Sequence, residues 1–422
     1  MTAFSLDAPT RRPSAHEIPL AQIDVSKPIL FQTDVVGDYF ARLRREDPVH
    51  YCAESANGAY WSLTKFDHIV QADTNHQALS SDSKWGGIAI QDLNSIEAAV
   101  PIEMFIAMDP PKHDQQRRAV SPAVAPGNLK LLEPIIRARA GEILDALPVG
   151  EEIDWVDLVA IELTTMTLAT LFDFPWAERR KLTRWSDVTT ASPETGIVAS
   201  FEQRRDELLE CAMYFKALWD ERAKAPPQPD LISMMAHAPA TRDMPFVEFM
   251  GNLLLLIVGG NDTTRNSISG GVVALNQAPD EYRKLMSDPL ARIPGMVSEI
   301  IRWQTPITHM RRTALQDVEI GGKTIAKGDK VVMWYLSGNR DDEVIPQPDE
   351  FIIDRPNPRH HLSFGFGIHR CMGNRLAELQ LRIVWEEIAK RFRQVELVGE
   401  PQRTYSNIIR GFTALPVKLH AH

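Results

Sequence analysis

The stretch from about Pro245 to Ala278 is the part of the sequence that most constrains the fold. Its residue pattern is helical over its whole length and is closed by Pro279. At 1.5 Å per residue, such a helix would span roughly 50 Å, which is more than the width of a small domain. Residues Leu253 to Val258 are apolar on every side, as expected for a helix that is buried all round. We therefore expect this helix to pass through the centre of the fold.

The middle of this helix has a sequence that forms helix poorly. Gly259 and Gly260 each cost about 1 kcal/mol relative to alanine, and Asn261, Asp262 and Thr263 follow them. One interpretation is a packing notch where another helix crosses. The other is that the glycines let a large planar group lie against the helix, with Asp262 and Thr263 in a local kink or widened turn.

A second stretch, from Phe364 to Gly373, places one cysteine in a glycine-rich loop. Apolar residues recur at helical spacing from Leu376, so Cys371 lies just before a helix N-terminus, where the pKa of a thiol is expected to be lowered. A thiolate there would be a soft metal ligand. The alternatives are an ordinary buried thiol or a zinc site shared with His360, His361 and His369, although no Cys-x-x-Cys pair is present.

The spacing of five residues in this loop resembles the haem-ligand loop of the cytochrome P-450 superfamily. They are Phe364, Gly367, His369, Cys371 and Gly373. The resemblance implies haem b with the Cys371 thiolate as the iron ligand, and Phe364 and His369 beside the cofactor. It also implies a mainly α (α+β) fold: a large helical domain with a smaller β-rich part, and haem between the long helix and the cysteine loop.

Two further motifs would hold the haem carboxylates. His113 and Arg117 share one face of a helix that begins at two prolines. By themselves they would be a solvated surface pair. They match, however, the family's His-x-x-x-Arg helix, whose two side chains hold a haem propionate. Arg312 aligns with the arginine that binds the second propionate, and Arg311 is a possible substitute. Gly260 would allow the haem to approach the long helix.

The catalytic and structural assignments also follow from the resemblance. Asp262 and Thr263 match the acid and alcohol that relay protons during oxygen activation. Glu299 and Arg302, on a helix expected to begin after Pro294, match a buried pair that binds a later arginine, here Arg355. We expect these three residues to clamp the loop beneath the haem.

Composition and organisation set the remaining limits. A formal charge of −10 without a basic stripe argues against nucleic-acid binding, and three widely spaced cysteines favour a reducing compartment. Residues 1–28 are polar and lack a signal-peptide core, so we expect a flexible N-terminal segment, a single domain over 29–422, and a soluble cytoplasmic protein without a membrane anchor. Asn57-Gly58 between two extended runs predicts a β-hairpin.

The implied reaction is monooxygenation of an apolar small molecule, using O2 and electrons from a soluble ferredoxin and its NAD(P)H-dependent reductase. Two segments, 258–267 and 309–314, resemble the bacterial branch that hydroxylates the terminal carbon of medium-chain alkanes and fatty acids. The expected substrate pocket is mainly apolar: Ile88, Leu255, Val258, Gly259, Thr308, Met310, Ile409 and Phe412.

Three alternatives remain open at this stage: a terpenoid hydroxylase, a peroxide-driven enzyme, and a haem-binding sensor or carrier without turnover. The electron donor is expected to meet Arg118, Arg359 and Arg370 near the cysteine loop.

Overall fold

The structure is a computed structural model, and it describes residues 14–91 and 102–422. Helices predominate among these residues, and the strands form four small sheets. The helices are α1 (Pro28–Gln32), α2 (Val36–Glu46), α3 (Phe66–Thr74), α4 (Lys112–Val120), α5 (Pro126–Asp145), α6 (Glu162–Phe172), α7 (Arg180–Thr190), α8 (Phe201–Arg222), α9 (Leu231–His237), α10 (Phe246–Gln277), α11 (Pro279–Ser287), α12 (Pro289–Gln304), α13 (Tyr335–Gly338) and α14 (Asn374–Arg391). The strands are β1 (Val49–Cys52), β2 (Tyr60–Leu63), β3 (Leu79–Ser80), β4 (Glu152–Asp154), β5 (Met310–Ala314), β6 (Val318–Ile320), β7 (Lys323–Ile325), β8 (Lys330–Met333), β9 (Phe392–Leu397), β10 (Gln402–Arg403), β11 (Phe412–Ala414) and β12 (Pro416–Ala421).

The long helix α10 is the centre of the main hydrophobic core, as the sequence predicts. Most of its side chains are buried, because α6, α7, α12 and α14 all pack against it. The α-helical pattern continues without interruption through Asp262 and Thr263, so the widened turn expected there is wrong.

The β-rich part of the chain forms a second region with two smaller cores. Its five-stranded sheet has the order β1-β2-β8-β5-β3, in which β2 and β8 are parallel and the other neighbours antiparallel. The predicted hairpin is confirmed, with Val49 opposite Leu63 and Cys52 opposite Tyr60. The three-stranded sheet β4-β12-β9 packs its buried side chains into the main core instead, and the pairs β6-β7 and β10-β11 are the remaining two sheets.

Two boundaries differ from the sequence expectation. Helix α12 begins at Pro289 rather than after Pro294, because the Asp288 carboxylate accepts a hydrogen bond from the backbone N–H of Ala291 and caps the helix. Residues 14–28 are packed rather than loose: Ile23 and Val25 are fully buried in the core that also contains α1 and α2.

Candidate active site

The cysteine loop is closed by its own backbone. The N–H of Cys371 donates to the Phe364 carbonyl at 2.7 Å, and α14 begins three residues later, at Asn374. Cys371 keeps solvent-accessible surface, yet the surrounding protein is dense enough for burial to raise the pKa of its thiol, outweighing the N–H of Gly373 and the nearby Arg117. The expected lowering of this pKa is therefore wrong for the protein alone. A bound metal would deprotonate the thiol outright.

The middle of α10 has an accessible face although most of the helix is buried. Leu255, Val258 and Thr263 are partly exposed and Gly259 is exposed; we call these four residues the α10 strip. A Cβ added to Gly259 would meet no atom within 4 Å, whereas one added to Gly260 would lie 2.8 Å from Cδ1 of Leu168 on α6. The missing side chain of Gly260 therefore permits helix packing, and Gly259 opens onto free space. Because the backbone of Gly260 is itself partly exposed, its contact with the cofactor stays a prediction.

The predicted acid and alcohol point in different directions. The Thr263 hydroxyl donates to the Gly259 carbonyl at 3.1 Å and lies on the α10 strip. Asp262 is buried beneath it, where its carboxylate accepts hydrogen bonds from Ser186 at 3.1 Å and from Arg265 at 2.8 Å. Burial raises the pKa of Asp262 to about 6, although Arg265 opposes this shift.

Arg265 connects the buried acid with the neighbouring helix. Its guanidinium also donates to Asp187 on α7 at 2.8 Å, and the Asp187 side chain is 30% exposed to solvent. Asp187 and Ser186 were missed by sequence reasoning because they lie almost 80 residues before Asp262. Arg265 could have been found, because it lies one helical turn after Asp262.

A buried imidazole, His113, and a partly buried one, His369, meet where a haem carboxylate is expected. The rings of His113 and His369 are 4.3 Å apart between centroids. His113 uses Nδ1 for Asp114 at 2.7 Å, and His369 uses Nε2 for Ser81 at 2.8 Å. The other nitrogen of each ring is buried and has no hydrogen-bond partner among the described residues. Burial lowers the pKa of both rings, that of His369 to about 2.

The arginines expected at the haem have specific protein partners. Arg117 donates to the carbonyl of Arg370 in the cysteine loop. Arg312 is buried and pairs with Asp73 on α3 at 2.7 Å. Arg311 donates to the carbonyl of Trp85 at 3.1 Å, so it anchors the 85–89 loop and is poorly placed to substitute for Arg312.

The predicted structural triad is fully formed. The Glu299 carboxylate, which is completely buried, accepts hydrogen bonds from Arg302 at 2.7 and 2.8 Å and from Arg355 at 3.1 and 3.3 Å. Both guanidinium groups also donate to the carbonyl of Glu350. These contacts fasten α12 to the segment that precedes the cysteine loop.

The predicted pocket residues do not all offer surface to a ligand. Ile88 and Met310 are partly exposed. Thr308 is buried and its hydroxyl donates to the Asn407 carbonyl. Ile409 is buried and forms a β-bridge with Ile307. These two residues support the pocket wall from behind.

Phe412 also differs from the expectation. Its ring packs in the main core, with the Arg403 guanidinium 5.0 Å from the ring centroid. Ile408, rather than Ile409, keeps partial exposure in this segment. The error arises from the irregular backbone of the 404–411 turn, because strand alternation could not be assigned there from sequence.

The residues present fit a flat, anionic group. The α10 strip gives a planar group an apolar surface, and Cys371 offers a thiol. The free nitrogen of His369 can donate a hydrogen bond to a carboxylate, and that of His113 can do so when the ring is protonated, because its Nδ1 already donates to Asp114. No group of three or more His, Cys, Asp or Glu side chains suited to a metal ion occurs in residues 14–91 and 102–422, so the zinc alternative has no support.

Comparison with known proteins decides the family. A family model described as Cytochrome P-450 matches residues 197–419. The chain is 38% identical to the linalool 8-monooxygenase of Pseudomonas putida, over 94% of this chain and 98% of the relative. The chain belongs to the cytochrome P-450 family. Its cofactor is accordingly haem b, and it is a P-450 monooxygenase that uses O2, a small-molecule substrate and redox partners.

Two other similar proteins resemble this P-450 over nearly the whole chain. The cytochrome P-450-153 of Novosphingobium aromaticivorans is 46% identical, with a TM-score of 0.88 over 94% of this chain and 99% of its own. The methyl-branched lipid omega-hydroxylase of Mycobacterium bovis is 31% identical over 95% of each chain. In the part of this P-450 that the structure describes, no helix combines the length and apolarity needed to cross a membrane.

Proposed function

We propose that this P-450 hydroxylates the terminal carbon of a slender, mainly apolar chain, with medium-chain alkanes and fatty acids as the substrate class. One oxygen atom of O2 enters the C–H bond, and the other leaves as water with two electrons and two protons. Haem b, when bound, supplies oxygen activation. The residues of this chain would ligate it, deliver protons and orient the substrate.

Each site residue has a role in this proposal. Cys371 would ligate the iron. His369 and a protonated His113 would donate to one haem carboxylate, whose negative charge favours that protonation. Thr263, on the α10 strip, would hold a proton donor next to the reacting centre, and Asp262 would supply protons from the buried side of α10. Arg312 would contribute its positive charge at the edge of the cofactor.

The apolar character of the α10 strip is the observation that carries the substrate class. Leu255, Val258 and Gly259 offer only hydrocarbon, and Thr263 alone offers a hydroxyl, which already donates to a backbone carbonyl. The nearest arginines have their own partners: Arg311 donates to the 85–89 loop and Arg312 pairs with Asp73. A substrate charge close to the reacting carbon would therefore lie unpaired, which is costly.

The position of attack is supported by two relatives. The omega-hydroxylase acts, by its name, at the end of a lipid chain. The more similar relative is named for linalool, which is itself a slender acyclic molecule. Both names fit an apolar channel that presents a chain end to the iron.

Spectral titration and product analysis test the substrate class. The haem-loaded protein is titrated with octane, octanoic acid and linalool, and is then turned over with NADH, a ferredoxin and its reductase. We expect octane or octanoic acid to shift the Soret band and to give the terminal alcohol. Val258→Phe should weaken binding, whereas Leu290→Phe, at a side chain that is 75% exposed, should not.

A terpenoid hydroxylase is the second candidate, because the linalool relative is 38% identical. Tight binding of linalool, with only internal hydroxylation of linear chains, would favour it and would contradict terminal attack. Efficient peroxide-driven turnover that survives Thr263→Ala would favour a peroxide user. Absence of any NADH-dependent product with every substrate would contradict both hydroxylase proposals.

We propose a soluble ferredoxin as the electron donor, docked near the cysteine loop. Arg118 and Arg370 are exposed there, and Arg359 is exposed but pairs with Glu378 at 2.8 Å. Acidic ferredoxins would be attracted by these charges. The Arg118→Glu and Arg370→Glu variants should bind ferredoxin more weakly, and this is measured by the rate of first-electron transfer. The control variant Arg205→Glu, on α8, should leave that rate unchanged. Unchanged rates in the first two variants would refute the docking site.

A further inference from the structure

Asp73, the penultimate residue of α3, connects two parts of the site that are distant in sequence. Its carboxylate is almost completely buried. Oδ1 accepts a hydrogen bond from Arg312 at 2.7 Å, and Oδ2 accepts one from the backbone N–H of Phe366, in the cysteine loop, at 2.7 Å. Oδ2 also accepts from the Tyr335 hydroxyl at 3.1 Å. Three donors therefore converge on two oxygen atoms.

The glycines of the cysteine loop are fitted to Asp73. A Cβ on Gly367 would lie 2.4 Å from the Asp73 carbonyl oxygen, and one on Gly365 would lie 3.1 Å from Oδ2. Both glycines have a positive φ, of 63° and 65°, which side chains rarely adopt. The loop is thus shaped on one side by α3, which explains why glycine occupies both positions.

The charge on Asp73 has consequences at the cofactor edge. Arg312 is 2% exposed, and a buried guanidinium without a carboxylate partner is strongly unfavourable. Asp73 therefore compensates the charge of Arg312 while it bonds the loop that carries Cys371.

We propose that Asp73 is a positioning residue of the haem-thiolate site. It fixes the Phe366 peptide five residues before Cys371, and it holds and partly neutralises Arg312 at the edge of the haem. The iron then experiences the thiolate in a geometry and an electrostatic field that α3 helps to set. Because this proposal concerns haem binding alone, it does not depend on which substrate the enzyme oxidises.

The central experiment compares Asp73→Asn with Tyr335→Phe in the haem-loaded protein. Asparagine offers one oxygen and one amide, so at least one of the three donors loses its acceptor, and the negative charge is lost. Tyr335→Phe removes one donor and leaves that charge in place. We expect haem transfer to apomyoglobin to be about tenfold faster in Asp73→Asn, and to change by a smaller factor in Tyr335→Phe, which removes one of the three donors but keeps the carboxylate charge and the other two donors.

The reduction potential separates a positioning role from general support of the fold. Loss of an anion near the iron disfavours the ferric form, so Asp73→Asn should raise the midpoint potential in the absence of substrate. Arg312→Gln removes a cation and should shift the potential in the opposite direction. If Asp73 only supported the fold, the two variants would not shift the midpoint potential in opposite directions.

The outcomes are decisive in each direction. Faster haem loss with opposite potential shifts supports the proposal. Haem loss within twofold of the parent protein, with an unchanged potential and an unchanged Soret band of the ferrous carbon monoxide complex, overturns it. If Asp73→Asn does not fold, the double variant Asp73→Asn, Arg312→Gln is measured in its place, because it leaves no unpaired charge. The double variant must then lose haem faster than Arg312→Gln alone, and equal rates overturn the proposal.

Discussion

His113 and His369 face each other at 4.3 Å between ring centroids, and each ring has one buried nitrogen without a hydrogen-bond partner among the described residues. We expect both nitrogens to donate to a haem carboxylate, because the negative charge of that group favours protonation of His113, whose other nitrogen donates to Asp114. His113→Phe removes one such donor, and a charge-assisted hydrogen bond contributes about 1.5–3 kcal/mol. Haem transfer to apomyoglobin should therefore be about tenfold faster or more. His420→Gln, at a partly buried histidine on β12 that bonds Glu396, is the matched control; equal transfer rates for the two variants would contradict this role.

Glu299→Gln tests the buried clamp. The substitution leaves Arg302 and Arg355 buried beside a neutral amide, and such a loss of one partner costs about 3–5 kcal/mol. We expect a lower yield of folded protein and a denaturation midpoint well below that of the parent. The measurement is urea unfolding followed by circular dichroism. Asp206→Asn, at an exposed pair with Arg205, should leave the midpoint unchanged. A normal midpoint for Glu299→Gln would show that the clamp is dispensable.

His309 predicts a loss of stability in mild acid. Burial lowers its pKa to about 4, although the Asn407 carbonyl opposes the shift. The unfolded chain takes up a proton near pH 6.5 and the folded protein does not, so this contribution is complete above pH 6.5 and is lost as the pH falls towards 4. Between pH 7 and 5.5 the loss should be about 1 kcal/mol.

Urea unfolding at both pH values measures this loss. His309→Gln should reduce the difference by about 1 kcal/mol, and His16→Gln, at an exposed position, should not. An identical pH dependence in the parent protein and His309→Gln would refute the assignment.

Asp187→Asn tests the proposed proton supply. The charge of Asp187 helps burial to raise the pKa of Asp262, so its removal should lower that pKa. If ionised Asp262 receives protons during turnover, coupled activity is lost as the pH falls through its pKa. The acid limb of product formed per NADH should then move to lower pH, by roughly half a unit to one unit. Asp220→Asn, on the surface of α8, should leave the limb in place. An unmoved limb in Asp187→Asn would separate Asp187 from the relay.

Local motifs made much of this site predictable. Three features lie within short stretches of sequence, where the spacing between residues alone fixes the geometry. They are Cys371 with its glycines, the Glu299 pair and the long helix. The clamp also required Arg355, which a resemblance supplied rather than periodicity. The sequence predicted a ligand contact for both glycines of the long helix, Gly259 in the pocket and Gly260 at the cofactor. Of these two, only Gly259 has open space where a Cβ would lie.

Contacts across the chain could not be predicted in this way. Asp73 bonds Arg312 and Phe366 across 239 and 293 residues, and nothing near Asp73 signals either partner. The degree of burial could not be predicted from the sequence either, and burial reversed the expected direction of the Cys371 pKa shift. Periodicity indicates which face of an element is apolar. It does not show which loop will cover that face.

Gly259 and Gly260 allow the shape of the pocket to be tested by the same substitution at adjacent positions. Gly259→Ala places a methyl group in open space on the α10 strip, and alanine stabilises a helix by about 1 kcal/mol relative to glycine. The protein should remain folded and bind haem. The smaller pocket should exclude branched molecules more than linear ones, so linalool affinity should fall further than octane affinity in the spectral titration.

Gly260→Ala is the matched control, because its methyl group would press on Leu168 instead of entering the pocket. Such overpacking usually costs about 1–3 kcal/mol, which offsets the gain in helix propensity. We expect a lower denaturation midpoint than in Gly259→Ala and an unchanged ratio of linalool to octane affinity. If Gly260→Ala alters that ratio and Gly259→Ala does not, the open face of α10 has been assigned to the wrong glycine. Equal effects on both ligands in Gly259→Ala would show instead that the strip does not contact the substrate.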